Sequence, residues 1–398
     1  MEAYVSLFGE KERILSWLRL LEQEKIPFGY KGENLNNFSS INILIGFPRR
    51  KIKNFLKDDK NKVYIVESNS ASSREKLIEA FRSLDLPYVH LWYYPVNCSS
   101  VFLFRVDVDY IYLKGLENIF EVTKKFNIKG TYFVNISGEE EFDEKISHFK
   151  LKTPTTPKRK EILQKILSKN NEIANHGYWH YVFKEFEKNY QNIKICNLFL
   201  RKLFNTENRG FAAPGGEMNN SLMRAIDQTK LLYSSNELSE GGFPYFPYIQ
   251  NKKSKTLEIP VYYLCDASFE SLEKKPDWSI PLYYQDILRN FYLEYIKKQV
   301  NNNKPIGILS HPHLIGQVAK DFFNPIFKEI KRLKIPNYTL EQFASWWKQR
   351  GKTNISYRKV REQLIIQSSR YPILAEVIYE GRKSIFKISK RSIINLKN

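Results

Sequence analysis

The chain is poor in cysteine, with three residues, Cys98, Cys196 and Cys265, widely spaced and odd in number. That pattern fits neither a disulfide framework nor a paired-cysteine metal site, and the expected compartment is a reducing cytosol. No apolar run approaches the roughly 18–20 residues that span a bilayer. The opening Met1-Glu2-Ala3-Tyr4 passes into Glu10-Lys11-Glu12-Arg13 and does not read as a signal peptide. Residues 1–98 hold no glycine-rich phosphate loop, and no internal repeat is visible. Acidic residues are outnumbered, 43 against 63 Lys and Arg, for a formal net charge of +20. Such a balance invites a nucleic-acid reading. The lysines are scattered, however, and no recognised nucleic-acid motif accompanies them, so nucleic acid is not an expected partner.

The basic residues concentrate at one end. After Glu380 stand Arg382, Lys383, Lys387, Lys390, Arg391 and Lys397 with no acid between them, interleaved with Ile385, Phe386, Ile388, Ile393 and Ile394. This pattern suits either a solvated face or a small basic β-unit that meets anionic lipid at the inner membrane face.

At 398 residues, 42% hydrophobic and 15% aromatic, the chain can bury a large core and a smaller one. Residues 1–98 read as a small α/β domain: helical spacing over Glu10–Glu24 and Ser73–Leu84, strands at Ile41–Phe47, Lys62–Glu67 and Tyr88–Tyr94. From 99 to 350 a longer alternation follows. Its strands are expected at Val101–Asp107, Lys129–Ile136, Glu172–Asn175, Gly210–Pro214, Leu232–Ser235, Leu257–Leu264 and Ile306–Ser310. About seven βα units in one domain point to an α/β fold of the (β/α)-barrel type. Residues 351–398 read as a small basic C-terminal extension after a short polar linker.

Histidine is scarce, six in all, and three of them fall at or just after strand ends in a chemically coherent set. Asp107-Val108-Asp109 ends one strand. His176-Gly177-Tyr178-Trp179-His180 follows another, 67 residues after Asp109, and Leu309-Ser310-His311 ends a third. Two histidines and one carboxylate supply the three ligands of a catalytic zinc with one position left open. In a barrel, chemistry sits at the C-terminal ends of strands, where all of these residues fall. His90, in an apolar strand, reads as a satisfied core histidine; His148 reads as a loop residue and His313 as structural or rim-lining.

The order of these pieces resembles the polysaccharide deacetylase family (carbohydrate esterase family 4, the chitooligosaccharide deacetylase homology domain) over roughly Val101 to Arg350, in a variant whose first motif is Asp-x-Asp. The resemblance implies Asp107 as general base, Asp109, His176 and His180 as ligands of one divalent metal, and His311 as general acid. Zinc is the default, though cobalt, nickel or iron tolerate the same donors. Trp179, Tyr110, Pro214 and Gly215 would line the substrate, with a backbone N–H near Gly215 facing the oxyanion. Two motifs depart from the family. Phe211-Ala212-Ala213-Pro214 has alanine where an arginine usually holds the base, and Leu232–Asn236 lacks the acid of the fourth motif. Residues two apart on a strand share a face, so Arg105 would point with Asp107 and replace the missing arginine; Arg209 is a second candidate.

The expected activity is metal-dependent removal of an acetyl group from an N-acetylated sugar of a glycan. Amide or cyclic-imide hydrolysis on the same barrel and a catalytically lapsed glycan-binding protein are the alternatives. Acetate release separates the enzyme from the binder, and salt-dependent retention on DNA would reveal a nucleic-acid partner.

Overall fold

The computed structural model describes residues 5–35, 38–53, 61–67, 73–109, 113–136, 142–143, 148–149, 156–239, 241–272 and 282–397. The chain divides into two compact units, one of Met1–Asn97 with Trp346–Asn398, the other of Cys98–Ser345.

In the first unit, β1 (Val5–Phe8), β2 (Phe28–Gly32), β3 (Ile41–Ile45) and β4 (Val63–Glu67) form a parallel sheet in the order β2-β1-β3-β4. Strand β3 is buried throughout, as the near-continuous apolar run Ile41–Ile45 requires of a parallel strand covered on both faces. Strand β2 was not foreseen, because Phe28-Gly29-Tyr30-Lys31-Gly32 lacks the β-branched run that marks its neighbours. The next strand, β5 (Tyr88–Leu91), pairs antiparallel with Ile373–Tyr379. Residues 351–398, read from sequence as an extension by themselves, thus share a ladder with the N-terminal part. Ile355–Val360, Gln363–Ser368 and Arg391–Asn395 make a further antiparallel sheet there. His90 is fully buried, with Nδ1 3.0 Å from the Leu91 carbonyl and Nε2 2.9 Å from Glu376.

The second unit is built on seven parallel strands: β6 (Phe102–Val108), β7 (Gly130–Val134), β8 (Glu172–Asn175), β9 (Gly210–Phe211), β10 (Tyr233–Ser234), β11 (Leu257–Glu258) and β12 (Ile306–Ser310). Their order is β11-β10-β9-β8-β7-β6-β12. This is the α/β, barrel-like fold expected from the alternation. Among the described residues no ladder joins β11 to β12, so the sheet is a half-barrel. The segment after β11 lies close to β12: a Cβ on Gly307 would stand 3.2 Å from Val261 Cα.

Alternation along β6 gives each face its task. Phe102, Phe104, Val106 and Val108 point outward into one apolar cluster with Tyr132, Val134, Ile306, Ile308 and the helix residues Phe323 and Phe327. Each such side chain contributes about 1.5–3 kcal/mol on burial. Arg105 and Asp107 point the other way and are also buried. Close helix packing supports the arrangement: a Cβ on Gly316 would come within 2.4 Å of Gly115 Cα. Thr156 caps helix Pro157–Leu167 through the Arg159 N–H, and Pro157 occupies its first turn, where proline costs least. That cap sets the buried Arg159, whose guanidinium donates to the carbonyls of Val108 (3.0 Å) and Asn135 (2.9 Å). It ties the ends of β6 and β7 together just where Asp109 leaves the sheet.

Candidate active site

Six of the residues singled out from sequence converge at the C-terminal end of the half-barrel. Arg105 donates from Nε to Asp107 Oδ1 at 2.7 Å and from Nη2 to Oδ2 at 2.6 Å, a two-pronged pairing of the kind guanidinium and carboxylate favour. Its Nη1 reaches the carbonyl of Ser235, and its carbon centre lies 5.1 Å from the Phe133 ring. Asp109 Oδ1 stands 3.0 Å from His176 Nε2 and 3.2 Å from His180 Nε2. Its other oxygen is 3.7 Å from His311 Nε2, and His176 Nε2 is 3.8 Å from Asp107.

The loop that carries the two histidines is shaped by side chains behind it. Asn175 Oδ1 accepts from the Gly177 N–H at 2.7 Å, and Asn192 Oδ1 accepts from the N–H groups of Tyr178 and Trp179 at 2.8 and 2.9 Å. Gly177 has φ +85, and a Cβ there would meet the Trp179 carbonyl at 2.6 Å. The loop therefore needs glycine at this position.

The donor set fits a cation. His176 Nδ1 lies 2.9 Å from the Ala212 carbonyl, and a carbonyl can only accept, so Nδ1 carries the proton. In the neutral ring, Nε2 then presents a lone pair to the carboxylate oxygen 3.0 Å away. Asp109 Oδ1 is buried with no hydrogen-bond donor among the described residues. Two lone pairs facing across that distance call for a cation between them. A carbonyl that accepts from the other ring nitrogen and so fixes the tautomer is the usual support of a metal-ligating imidazole. Asp109, His176 and His180 each offer a donor atom within 4.8 Å of the others.

Burial works against the Asp109 carboxylate, but His180 and His311 outweigh it and hold the pKa well below the usual range. Burial would likewise depress His311, yet Asp266 and Asp109 raise it well above the ordinary imidazole value. His313, buried beside His311 with ring centres 5.6 Å apart, is pushed down to about 4 by burial and by its neighbour.

Residues 104–234 match the polysaccharide deacetylase family. The half-barrel also resembles two solved structures named as polysaccharide deacetylases. The one from Mycobacterium smegmatis has a TM-score of 0.51 and 17% identity, covering 67% of this chain and 95% of its own. The one from Pseudomonas aeruginosa PAO1 has a TM-score of 0.50 and 14% identity, covering 65% and 93%. At these identities the likeness concerns the fold. No curated protein matches the chain.

The two departures from the polysaccharide deacetylase motifs acquire a geometry. Ala212 is fully buried and offers no charge to Asp107; Arg105 lies against Asp107 instead. Arg209, the second candidate, faces Glu207 and Glu341 at 3.6 Å, half-exposed at the opposite end of β9, and does not pair with Asp107. Leu232–Asn236 offers no acid, but Ser235 receives Arg105, and Asn236 Oδ1 accepts from the Ala213 N–H at 2.7 Å. The acid beside His311 is Asp266. It lies 2.5 Å from His311 Nδ1 and accepts from the His311 N–H at 2.7 Å. Sequence reading missed it; the one available sign was an aspartate just past the strand expected over Leu257–Leu264.

Among the expected substrate-lining residues, Pro214 and Gly215 form a tight turn after β9, Gly215 with φ +63. The Ala212–His176 bond anchors this turn to the cluster of Asp109, His176 and His180. Trp179 is half-buried, its ring edge-on to Tyr178 at 5.0 Å and to Phe183 at 6.1 Å. Tyr110 lies outside the described residues.

Proposed function

We propose that the second unit is a metal-dependent hydrolase that removes the acetyl group from an N-acetylated sugar of a glycan. The observation that carries this reading is the His176 lone pair facing Asp109 Oδ1, with Asp107 and His311 on either side. Asp109, His176 and His180 would hold one divalent ion, zinc being the default for a mixed nitrogen and oxygen set. When bound, it supplies Lewis-acid polarisation of the acyl group and activation of water.

Each protein side chain then has a defined proton to move. Asp107, oriented by Arg105, accepts the proton of the water that attacks the acetyl carbon. His311 keeps Nδ1 on Asp266 and so presents Nε2 to the leaving nitrogen. As the C–N bond breaks, Nε2 delivers its proton and the free amine departs with acetate as the second product. The raised pKa of His311 suits a group that must carry a proton near neutrality. Backbone N–H groups of the Pro214–Gly216 turn supply donors to the developing oxyanion.

The test is metal content beside acetate release from N-acetylated chito-oligosaccharides, in wild type and His176→Ala. About one metal per chain, lost together with acetate release in the variant, supports the proposal. Metal without acetate release from any such glycan redirects the site to another amide, and absence of metal from the wild type removes the proposal.

A further inference from the structure

The first unit carries a cavity of about 600 Å³ away from any residue considered above. That volume falls in the range of small-ligand clefts, roughly 300–1,000 Å³, but its lining is unlike an apolar pocket. Ser40, Asn61 and Ser83 supply hydroxyl and amide groups, Leu84 and Leu86 supply short aliphatic patches, and Asp85, Lys359 and Arg361 supply charge. Side-chain hydroxyl and amide groups beside small aliphatic surfaces match a pyranose ring, which presents hydroxyls at its rim and C–H bonds on its faces.

The charged part of the lining is ordered. Lys359 Nζ lies 2.5 Å from Asp85 Oδ2, 3.1 Å from the Asp85 carbonyl and 2.7 Å from the Tyr379 hydroxyl, which donates to Asp85 Oδ1 at 2.7 Å. Lys359 is thereby neutralised and held. Arg361 differs: exposed at the turn between Ile355–Val360 and Gln363–Ser368, it has no ion-pair partner among the described residues. A guanidinium without a partner on a sugar-sized cavity favours a ligand with a planar oxyanion. The charge of the C-terminal stretch that supplies Lys359 and Arg361 points the same way. Residues 346–398 hold thirteen Lys and Arg against three Glu, half of the formal +20 of the chain.

We infer that this cavity binds an acidic saccharide, taking one uronate residue with its carboxylate on Arg361, and that the basic C-terminal strands extend the attraction along a polyanionic glycan. The choice of a saccharide rests on the proposed deacetylase reading of the other unit, whereas the cavity and its charge do not. An open cleft that mixes polar, charged and aliphatic groups favours a sugar over a bilayer, which needs a flat apolar or basic face.

The experiment is calorimetric titration of the full-length chain with oligogalacturonate, beside neutral chito-oligosaccharide and vesicles containing one-third phosphatidylglycerol. Arg361→Ala and Lys359→Met are compared with wild type, and acetate release from a short neutral substrate is followed on the same samples. Expected are salt-sensitive oligogalacturonate binding at 50 mM salt, at least tenfold weaker in Arg361→Ala, and unchanged acetate release. Rescue by Arg361→Lys to an intermediate affinity would support a charge contact. Binding of oligogalacturonate that Arg361→Ala leaves unaltered, binding to the vesicles alone, or no binding at all would each overturn the inference. Failure of acetate release in wild type would instead strike the deacetylase reading.

Discussion

Replacing Arg105 by alanine tests how this chain manages without the family arginine. In the folded protein the guanidinium is 1% exposed and makes two hydrogen bonds to Asp107 at 2.7 and 2.6 Å and one to the Ser235 carbonyl. Asp107 is itself only 3% exposed. Removing one partner of a buried ion pair leaves a carboxylate without compensation and costs about 3–5 kcal/mol. That exceeds the ~1 kcal/mol of an ordinary hydrogen bond and the ~0.5–2 kcal/mol of the contact with Phe133, so the ion pair decides the outcome. Urea unfolding should show the loss. Acetate release should fall by between roughly tenfold and the ~10²–10⁴-fold ceiling of a general base, with Asp107→Asn giving that ceiling in parallel. Metal content should stay at the wild-type level, because Asp109, His176 and His180 keep their positions. The double variant Arg105→Met with Asp107→Asn should recover much of the stability and none of the turnover. Unchanged turnover in Arg105→Ala, or a fall that simply tracks lost metal, would refute the reasoning.

Asp266→Asn should lower the pH at which acetate release declines on the alkaline side, since Asp266 is the largest of the influences that raise His311; a pH–rate profile that does not move would remove Asp266 from that role. Glu172 is buried and its pKa is raised to about 7 by burial, from a model-peptide value of 4.5. The folded state therefore binds its proton more tightly than the unfolded chain. That contribution is fully present below about pH 4.5 and is lost as pH rises through 7, a change of about 3 kcal/mol. Glu172→Gln should flatten this part of the stability–pH curve, as followed by urea midpoints between pH 5 and 8. Gly316→Ala should destabilise the second unit by more than 2 kcal/mol, because its Cβ would lie 2.4 Å from Gly115 backbone; thermal unfolding within a few degrees of wild type would contradict it.

The parts of the site that were legible in the sequence are those with a local signature. Arg105, Asp107 and Asp109 follow the two-residue period of a strand, and His176 and His180 lie a few residues past a strand end. The seven strands stood out because each is a short apolar run followed by polar residues. What sequence reading missed depends on distant partners. Asp266 meets His311 across 45 residues, and no periodicity announces such a pair. Asn192 and Arg159 sit on helices, where an amide or a guanidinium reads as surface, yet one shapes the histidine loop and the other clamps two strand ends. Residues 351–398 look separate in sequence because the whole half-barrel is inserted in the chain between them and the strand they complete, Tyr88–Leu91.

That discontinuous ladder has a temporal consequence. His90 and Glu376, joined across it, are 286 residues apart. At a synthesis rate of about 5–20 residues per second, the interval between their emergence is on the order of 15–60 s. Throughout it, the hydrogen-bonding edge of Tyr88–Leu91 waits without its partner while the complete half-barrel is being made. The half-barrel is fully synthesised before that partner emerges, so the expected order of assembly on the ribosome is the inserted unit first, then the unit into which it is inserted. Stalling translation before Ile373 should leave the half-barrel resistant to protease and residues 1–97 open to it.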